Sequence, residues 1–163
     1  MKYLIGIIVL VNLILALSGE RIMEKTISLP TNNLNTWKII RELKEYKKYD
    51  NYEIEKEGDF IENNSVKYII KKDEKIENIT SVKVTYVDET KELGLTGGIP
   101  GILFYQQDFS LFEEGARTIL RIKVKETGLL VWIQNLTTWD PTLPLLNTNI
   151  IKEETLKRFP PLP

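Results

Sequence analysis

The sequence predicts an α+β domain in which a curved antiparallel sheet of about seven strands packs around a C-terminal helix. Between Ile79 and Lys125, apolar and polar residues alternate and the alternation breaks only at turn signals, as expected for a meander of four strands. Shorter alternating runs before Ile79 supply the other strands. After Gly128, apolar residues recur at helical spacing until Pro160-Pro161. The predicted element order is therefore one strand, two helices, six strands and a final helix.

The N-terminal segment resembles a secretory signal peptide. Lys2 provides a positive charge, the residues from Tyr3 to Ser18 are uncharged and mostly apolar, and Ala16-Leu17-Ser18 places small residues before a possible cleavage at Gly19. A permanent transmembrane helix needs about 20 apolar residues, so an uncleaved signal anchor is the alternative. We therefore predict a signal peptide (or anchor) over residues 1–18 and one secreted, extracytoplasmic domain over residues 20–163; an anchor would instead attach it to the membrane.

The first elements of the domain are marked by proline and by capping residues. Ile22–Leu29 alternates as a strand and Pro30 ends it. Thr31-Asn32-Asn33 can cap a helix, which the apolar spacing predicts over Leu34–Leu43. A second short helix is predicted over Glu45–Tyr49, with its tyrosines against the sheet.

The strands that follow have one apolar face each. The second and third strands are predicted at Tyr52–Lys56 and Val66–Ile70. In an extended chain, residues two apart share a face. The apolar positions on that face are Val82, Val84 and Tyr86 in one strand, and Leu120, Ile122 and Val124 in the last.

One strand of the meander, Leu103–Phe112, carries a polar residue on its apolar face. Tyr105, Gln107 and Phe109 alternate on that face, so the amide of Gln107 falls among apolar neighbours. An unpaired buried amide costs about 1–3 kcal/mol. Two interpretations follow: Gln107 lies near an open end of the sheet and is wetted by solvent, or it is a polar group inside a ligand cavity.

The C-terminal helix is predicted from about Leu143 to Arg158. Its apolar stripe includes Leu145, Ile150 and Leu156, which we expect to face the sheet. Asp140-Pro141 interrupts the apolar residues that precede it, and proline is tolerated at a first helical turn.

Composition excludes several classes of function. The 163 residues include 22 basic and 23 acidic side chains that are intermixed, so no basic patch for a nucleic acid is present. The chain has no Cys and no His, and it therefore lacks disulfides, the commonest general base and the main zinc ligand. No calcium-loop pattern occurs. We expect a monomer with no cofactor, no metal and no nucleic-acid partner.

Three segments carry a resemblance to a known family: Glu92–Leu103 with its Gly-Pro-Gly-like turn, Phe109–Thr118 with a glycine hairpin, and Glu126–Leu130 with a glycine before the last helical region. Together with the element order from Ile22 to Phe159, they resemble the START-like helix-grip (SRPBCC) superfamily. This superfamily includes polyketide cyclase-like and lipid-transfer proteins. The resemblance implies a cavity between the sheet and the C-terminal helix that holds a small hydrophobic or amphipathic, lipid-like molecule.

Three functions stay open at this stage. The first is a non-catalytic domain that carries or senses such a molecule, and the second is a cyclase- or hydratase-like enzyme that works without His. The third is an exported structural domain with a filled core. No catalytic residue is predicted. The side chains expected to line the cavity are Tyr68, Val84, Tyr86, Leu95, Tyr105, Gln107, Phe109 and Ile122 from the sheet, with Trp139 and Leu146 from the last helical region.

Overall fold

The structure is a computed structural model that describes residues 2–42, 45–49, 52–72, 75–136 and 148–160. The structure describes four helices and eight strands, in an order close to the prediction. They are α1 (Lys2–Ser18), β1 (Glu20–Leu29), α2 (Asn33–Glu42), β2 (Glu45–Tyr49), β3 (Tyr52–Glu57), β4 (Ser65–Lys72), β5 (Lys75–Asp88), β6 (Glu92–Ile99), β7 (Leu103–Glu114), β8 (Arg117–Thr127), α3 (Leu129–Leu136) and α4 (Thr148–Arg158).

All eight strands form one antiparallel sheet in the order β1-β8-β7-β6-β5-β4-β3-β2. Strands β2 to β8 follow each other as a meander, and the N-terminal strand β1 returns to pair with β8. One face of the sheet packs against α2 and α4, and we call it the inner face. The predicted α+β class, with a C-terminal helix on an antiparallel sheet, is confirmed.

The predicted helix over Glu45–Tyr49 is wrong, because this segment is strand β2. It pairs with β3, so that Tyr46 lies opposite Ile54 and Tyr49 lies opposite Tyr52. A five-residue helix has too few hydrogen bonds to offset the cost of its first turn. Pairing with the edge of β3 satisfies the same backbone groups at once. The sheet therefore has eight strands where about seven were predicted.

Helix α2 confirms the prediction for the segment after Pro30. Asn32 caps it, since its Oδ1 accepts a hydrogen bond from the Asn35 backbone N–H at 2.9 Å. The predicted last residue, Leu43, lies outside the described residues. The side chains of Trp37 and Ile40 on this helix are buried in the same hydrophobic cluster as the inner-face side chains of the strands.

The C-terminal region contains two described helices. Leu145 and the predicted start at Leu143 lie outside the described residues, as does the side chain of Ile150. In α4, Ile151 and Thr155 are fully buried, whereas Leu156 is 39% exposed. The prediction that Leu156 faces the sheet is therefore wrong. Ile151 and Thr155, four residues apart, form the buried stripe, and the next position rotates about 100° away from it.

The side chains of helix α1 that the structure describes are exposed, and none of them belongs to the hydrophobic core. Its end is tied to the start of α3, because the Gly128 N–H donates to the Gly19 carbonyl at 2.9 Å. Among the residues that the structure describes, no helix is long and apolar enough to cross a membrane.

Candidate ligand-binding site

The inner face of the sheet brings together seven of the side chains that were predicted to line a cavity. None of them is more than 6% exposed. They are Tyr68, Val84, Leu95, Tyr105, Gln107, Phe109 and Ile122. Trp139 and Leu146, the two residues expected from the last helical region, lie outside the described residues. That the seven share one buried face is an observation, and that they bind a ligand stays a prediction.

Tyr86 does not belong to this group, and its predicted place on the inner face is wrong. The pairing of β5 with β6 shifts between Val84 and Tyr86: Val84 lies opposite Leu95, but Tyr86 lies opposite Gly94. A β-bulge of this kind inserts one residue and reverses which face the following side chains occupy. The Tyr86 hydroxyl accordingly donates to Asp108 Oδ1 at 3.1 Å, on the outer face.

Gly94 makes room for the Tyr86 ring. A Cβ at Gly94 would lie 2.2 Å from Tyr86 Cε1. Partial burial, with Asp108 beside the hydroxyl, raises the pKa of Tyr86 to about 12. Tyr86 is thus a protonated donor held against the outer surface of the sheet.

Tyr105 provides the most distinctive polar group of the inner face. Its ring leans over Gly97 on β6, where a Cβ would lie 2.3 Å from the tyrosine oxygen. That hydroxyl is buried and has no hydrogen-bond partner among the described residues. Burial raises the pKa of Tyr105 to about 12, so the group is a neutral donor at physiological pH. The sequence predicted the position of Tyr105, but only the structure shows that its hydroxyl has no partner.

Gln107 follows two residues later on the same face. It lies between Leu95 on β6 and Val124 on β8, and it is 2% exposed. This burial does not fit an amide that is wetted by solvent at an open end of the sheet. That Gln107 lies inside a ligand cavity stays a prediction.

Sequence reasoning missed a buried ion pair at one end of the inner face. Glu126 is fully buried on β8 and lies opposite Arg21 on β1. Arg21 donates to Glu126 Oε2 from Nε at 2.9 Å and from a terminal nitrogen at 2.8 Å. The signal was present, because the two-residue period through Leu120 and Ile122 continues to Glu126.

No protein-family model and no curated protein matches the sequence. Many solved structures resemble the fold, among them the following three. Protein NE0264 from Nitrosomonas europaea has a TM-score of 0.62 at 14% identity, with 84% of this chain and 94% of that chain covered. Norcoclaurine synthase from Thalictrum flavum, in complex with dopamine and hydroxybenzaldehyde, has a TM-score of 0.58 at 8% identity, covering 91% and 89%. CalU16 from Micromonospora echinospora has a TM-score of 0.50 at 14% identity, covering 86% of each chain.

These neighbours are helix-grip proteins, and they share the curved antiparallel sheet and the C-terminal helix. The chain has the START-like helix-grip fold. The resemblance predicted from the sequence is thereby confirmed at the level of the fold. At sequence identities of 8–14%, the shared helix-grip fold does not assign an activity of these neighbours to this chain.

A separate groove lies outside the inner face of this helix-grip domain. It has a volume of about 720 Å³, and its lining residues come from α2, from the segment around Gly58 and from the β5–β6 turn. Lys56 in its wall already donates to the Arg41 carbonyl at 2.8 Å and lies 4.4 Å from the Phe60 ring centre. The other charged residues of the groove carry both signs. Most of its lining residues are charged, so we place the candidate site on the inner face instead.

The described residues contain no cluster of His, Cys, Asp and Glu that could hold a metal ion. The polar groups of the inner face include the hydroxyls of Tyr68 and Tyr105, the amide of Gln107 and the paired carboxylate of Glu126.

Proposed function

We propose that this helix-grip domain binds a small amphipathic molecule between its sheet and its C-terminal helical region. The observation that carries the proposal is the Tyr105 hydroxyl, which is buried among apolar side chains and has no partner within the described ranges of the chain. An unpaired buried polar group costs about 1–3 kcal/mol, and a core that only had to be filled would be more stable with Phe there. The amide of Gln107, two residues away, adds a second buried polar group on the same face.

The chemistry of the inner face supports a mainly apolar ligand with polar ends. The walls consist of aliphatic and aromatic side chains, which stabilise a bound molecule by about 25 cal/mol for each Å² of apolar surface removed from water. A few polar groups in such a cavity fix the orientation of the ligand. Tyr105 donates and Gln107 both donates and accepts, so the ligand carries hydrogen-bonding groups at matching positions.

A carrier or sensor fits these groups better than an enzyme does. A general base must lose its proton near the working pH, whereas burial holds the pKa of Tyr105 at about 12. Gln107 cannot transfer a proton. The inner-face tyrosine and amide therefore orient a molecule and do not act as a base on it.

The test is native mass spectrometry of the protein purified from its own host, followed by binding assays with two variants. A co-purifying apolar or amphipathic molecule supports the proposal. Gln107→Leu should change ligand preference and leave stability nearly unaltered, whereas Phe109→Trp should block binding because it fills space beside Gln107. If no molecule co-purifies, broad lipid screening gives no binding and neither variant alters anything but folding, these residues are simply core.

We further propose that the domain is exported. Lys2, the apolar run and the small residues at Ala16-Leu17-Ser18 support cleavage after Ser18, and the exposure of the described α1 side chains fits a helix that the core does not require. Mass spectrometry of the mature N-terminus decides it. A chain that begins at Gly19 outside the cytoplasm supports export, one that begins at Met1 in membranes selects the anchor, and one that begins at Met1 in the soluble cytoplasm refutes both.

A further inference from the structure

The buried carboxylate of Glu126 has one oxygen in use and one oxygen without a partner. Arg21 contacts Oε2 with its Nε at 2.9 Å and with a terminal nitrogen at 2.8 Å. Oε1 is buried and accepts no hydrogen bond from the part of the chain that the structure describes. Leaving a charged group's acceptor unsatisfied in the interior costs more than leaving a neutral one unsatisfied. Oε1 is therefore a strong acceptor that is already desolvated and is held in place by the Arg21 pair.

Glu126 belongs to a row of residues that crosses four strands of the inner face. Arg21 lies opposite Glu126, Glu126 lies opposite Tyr105, and Tyr105 lies opposite Gly97. Neighbouring strands are about 4.8 Å apart. Glu126 reaches toward β1 while the Tyr105 ring leans over Gly97 toward β6, so the two side chains diverge across β7 and β8.

The unpartnered Oε1 of Glu126 favours one kind of ligand group. An ether or a ketone brings only acceptors and gains nothing from Oε1. A carboxylate would be repelled by Glu126. An ammonium ion would add a net positive charge to a site whose carboxylate Arg21 already neutralises, and burying that charge carries a large desolvation cost. A hydroxyl donates to Oε1 without bringing a charge.

We propose that Glu126 Oε1 is the head-group acceptor of the site and that the ligand presents to it the hydroxyl of a neutral alcohol or phenol. This inference rests on the proposed ligand-binding function. The apolar body of the ligand then lies along the inner face past Tyr105 and Gln107, and the Tyr105 hydroxyl meets an acceptor further along the molecule. Arg21 is a positioning residue, because it holds the carboxylate through Oε2 and leaves Oε1 for the ligand.

The experiment compares three ligands that differ only at the head group. The detergent-free protein from its own host is stripped of bound molecules and loaded with the neutral fluorescent probe N-phenyl-1-naphthylamine. The probe is then displaced by 1-dodecanol, 1-methoxydodecane or dodecylamine. A hydrogen bond to a charged acceptor predicts that dodecanol binds roughly ten- to a hundredfold more tightly than the methyl ether. Dodecylamine should bind more weakly than dodecanol.

The variant Glu126→Gln changes this preference in a predictable way. The amide carbonyl can keep the bonds from Arg21, and the amide N–H₂ then replaces Oε1, so an acceptor site becomes a donor site. The ratio between alcohol and ether should fall to about one or reverse, whereas Glu113→Gln, the same change at an exposed carboxylate of β7, should leave it unaltered.

The outcomes separate this inference from the proposed function. If the probe binds but alcohol and ether compete equally in the unmodified protein, ligand binding stands and the head-group site is refuted, with water the occupant of Oε1. Tighter binding of the amine than of the alcohol also refutes it. If neither the probe nor any of the three ligands binds, the proposed function fails and the inference fails with it. The ratio in the unmodified protein decides the matter even if Glu126→Gln does not fold.

Discussion

Replacing Tyr105 by Phe removes one hydroxyl and keeps the ring. The hydroxyl is buried without a partner, and its residue is 6% exposed. Since an unsatisfied buried group costs about 1–3 kcal/mol, Tyr105→Phe should raise the free energy of unfolding of the ligand-stripped protein by up to that amount. The same variant should bind its ligand more weakly, because the donor that orients the ligand is gone. Greater stability with poorer binding is the signature of a functional polar group.

Tyr86→Phe is the matched control. The Tyr86 hydroxyl donates to Asp108 at 3.1 Å on the outer face. Losing one such bond should lower the free energy of unfolding by about 0.5–1.5 kcal/mol, and ligand affinity should not change. Urea unfolding of both variants, followed by tyrosine fluorescence or circular dichroism, measures the difference. If Tyr105→Phe lowers stability as much as Tyr86→Phe does, the Tyr105 hydroxyl has a partner and the reasoning is refuted.

Three further predictions concern the same face. Gly97→Ala should destabilise the protein by about 1–3 kcal/mol and weaken ligand binding, because the new Cβ overlaps the Tyr105 oxygen. The stability loss should largely vanish in a Tyr105→Ala background, and an equal loss in both backgrounds would place the strain elsewhere. Arg21→Ala should lower the free energy of unfolding in urea by about 3 kcal/mol, because it leaves the Glu126 carboxylate buried without its ion-pair partner. The double variant Arg21→Ala with Glu126→Leu should recover part of that loss, and no recovery would mean that Arg21 stabilises by packing alone. The free energy of unfolding should fall as pH rises from the unfolded tyrosine pKa of about 10 toward the folded value of about 12, because the unfolded chain loses protons that the folded chain retains. Urea midpoints measured across this range should fall less steeply for Tyr105→Phe, and an unchanged slope would contradict the burial of the hydroxyl.

The fold was largely predictable because strands with one buried and one exposed face alternate in sequence. The period of two placed Tyr105, Gln107 and Phe109 on the buried face, where the structure has them. It failed at Tyr86, because the bulge between Val84 and Tyr86 changes the face by one residue and leaves no mark in the local pattern. A glycine opposite an aromatic residue, as at Gly94, was the only hint.

The ion pair could be predicted only by half. The period of two carries on to Glu126, but charged side chains are rarely buried unless they are paired, and no local pattern identifies Arg21 as the partner. That partnership depends on the pairing of β1 with β8, which joins residues 105 positions apart. The strand at Glu45–Tyr49 is a similar case, since its tyrosines suit a short helix and a strand equally well until the edge of β3 is known to be open.

The most direct test of the central claim is a crystal structure of the protein purified from its own host without detergent. The account predicts density for an elongated molecule on the inner face, within hydrogen-bonding distance of the Tyr105 hydroxyl and in contact with Phe109. An inner face that is filled by its own side chains, with at most a water on Tyr105, would contradict it.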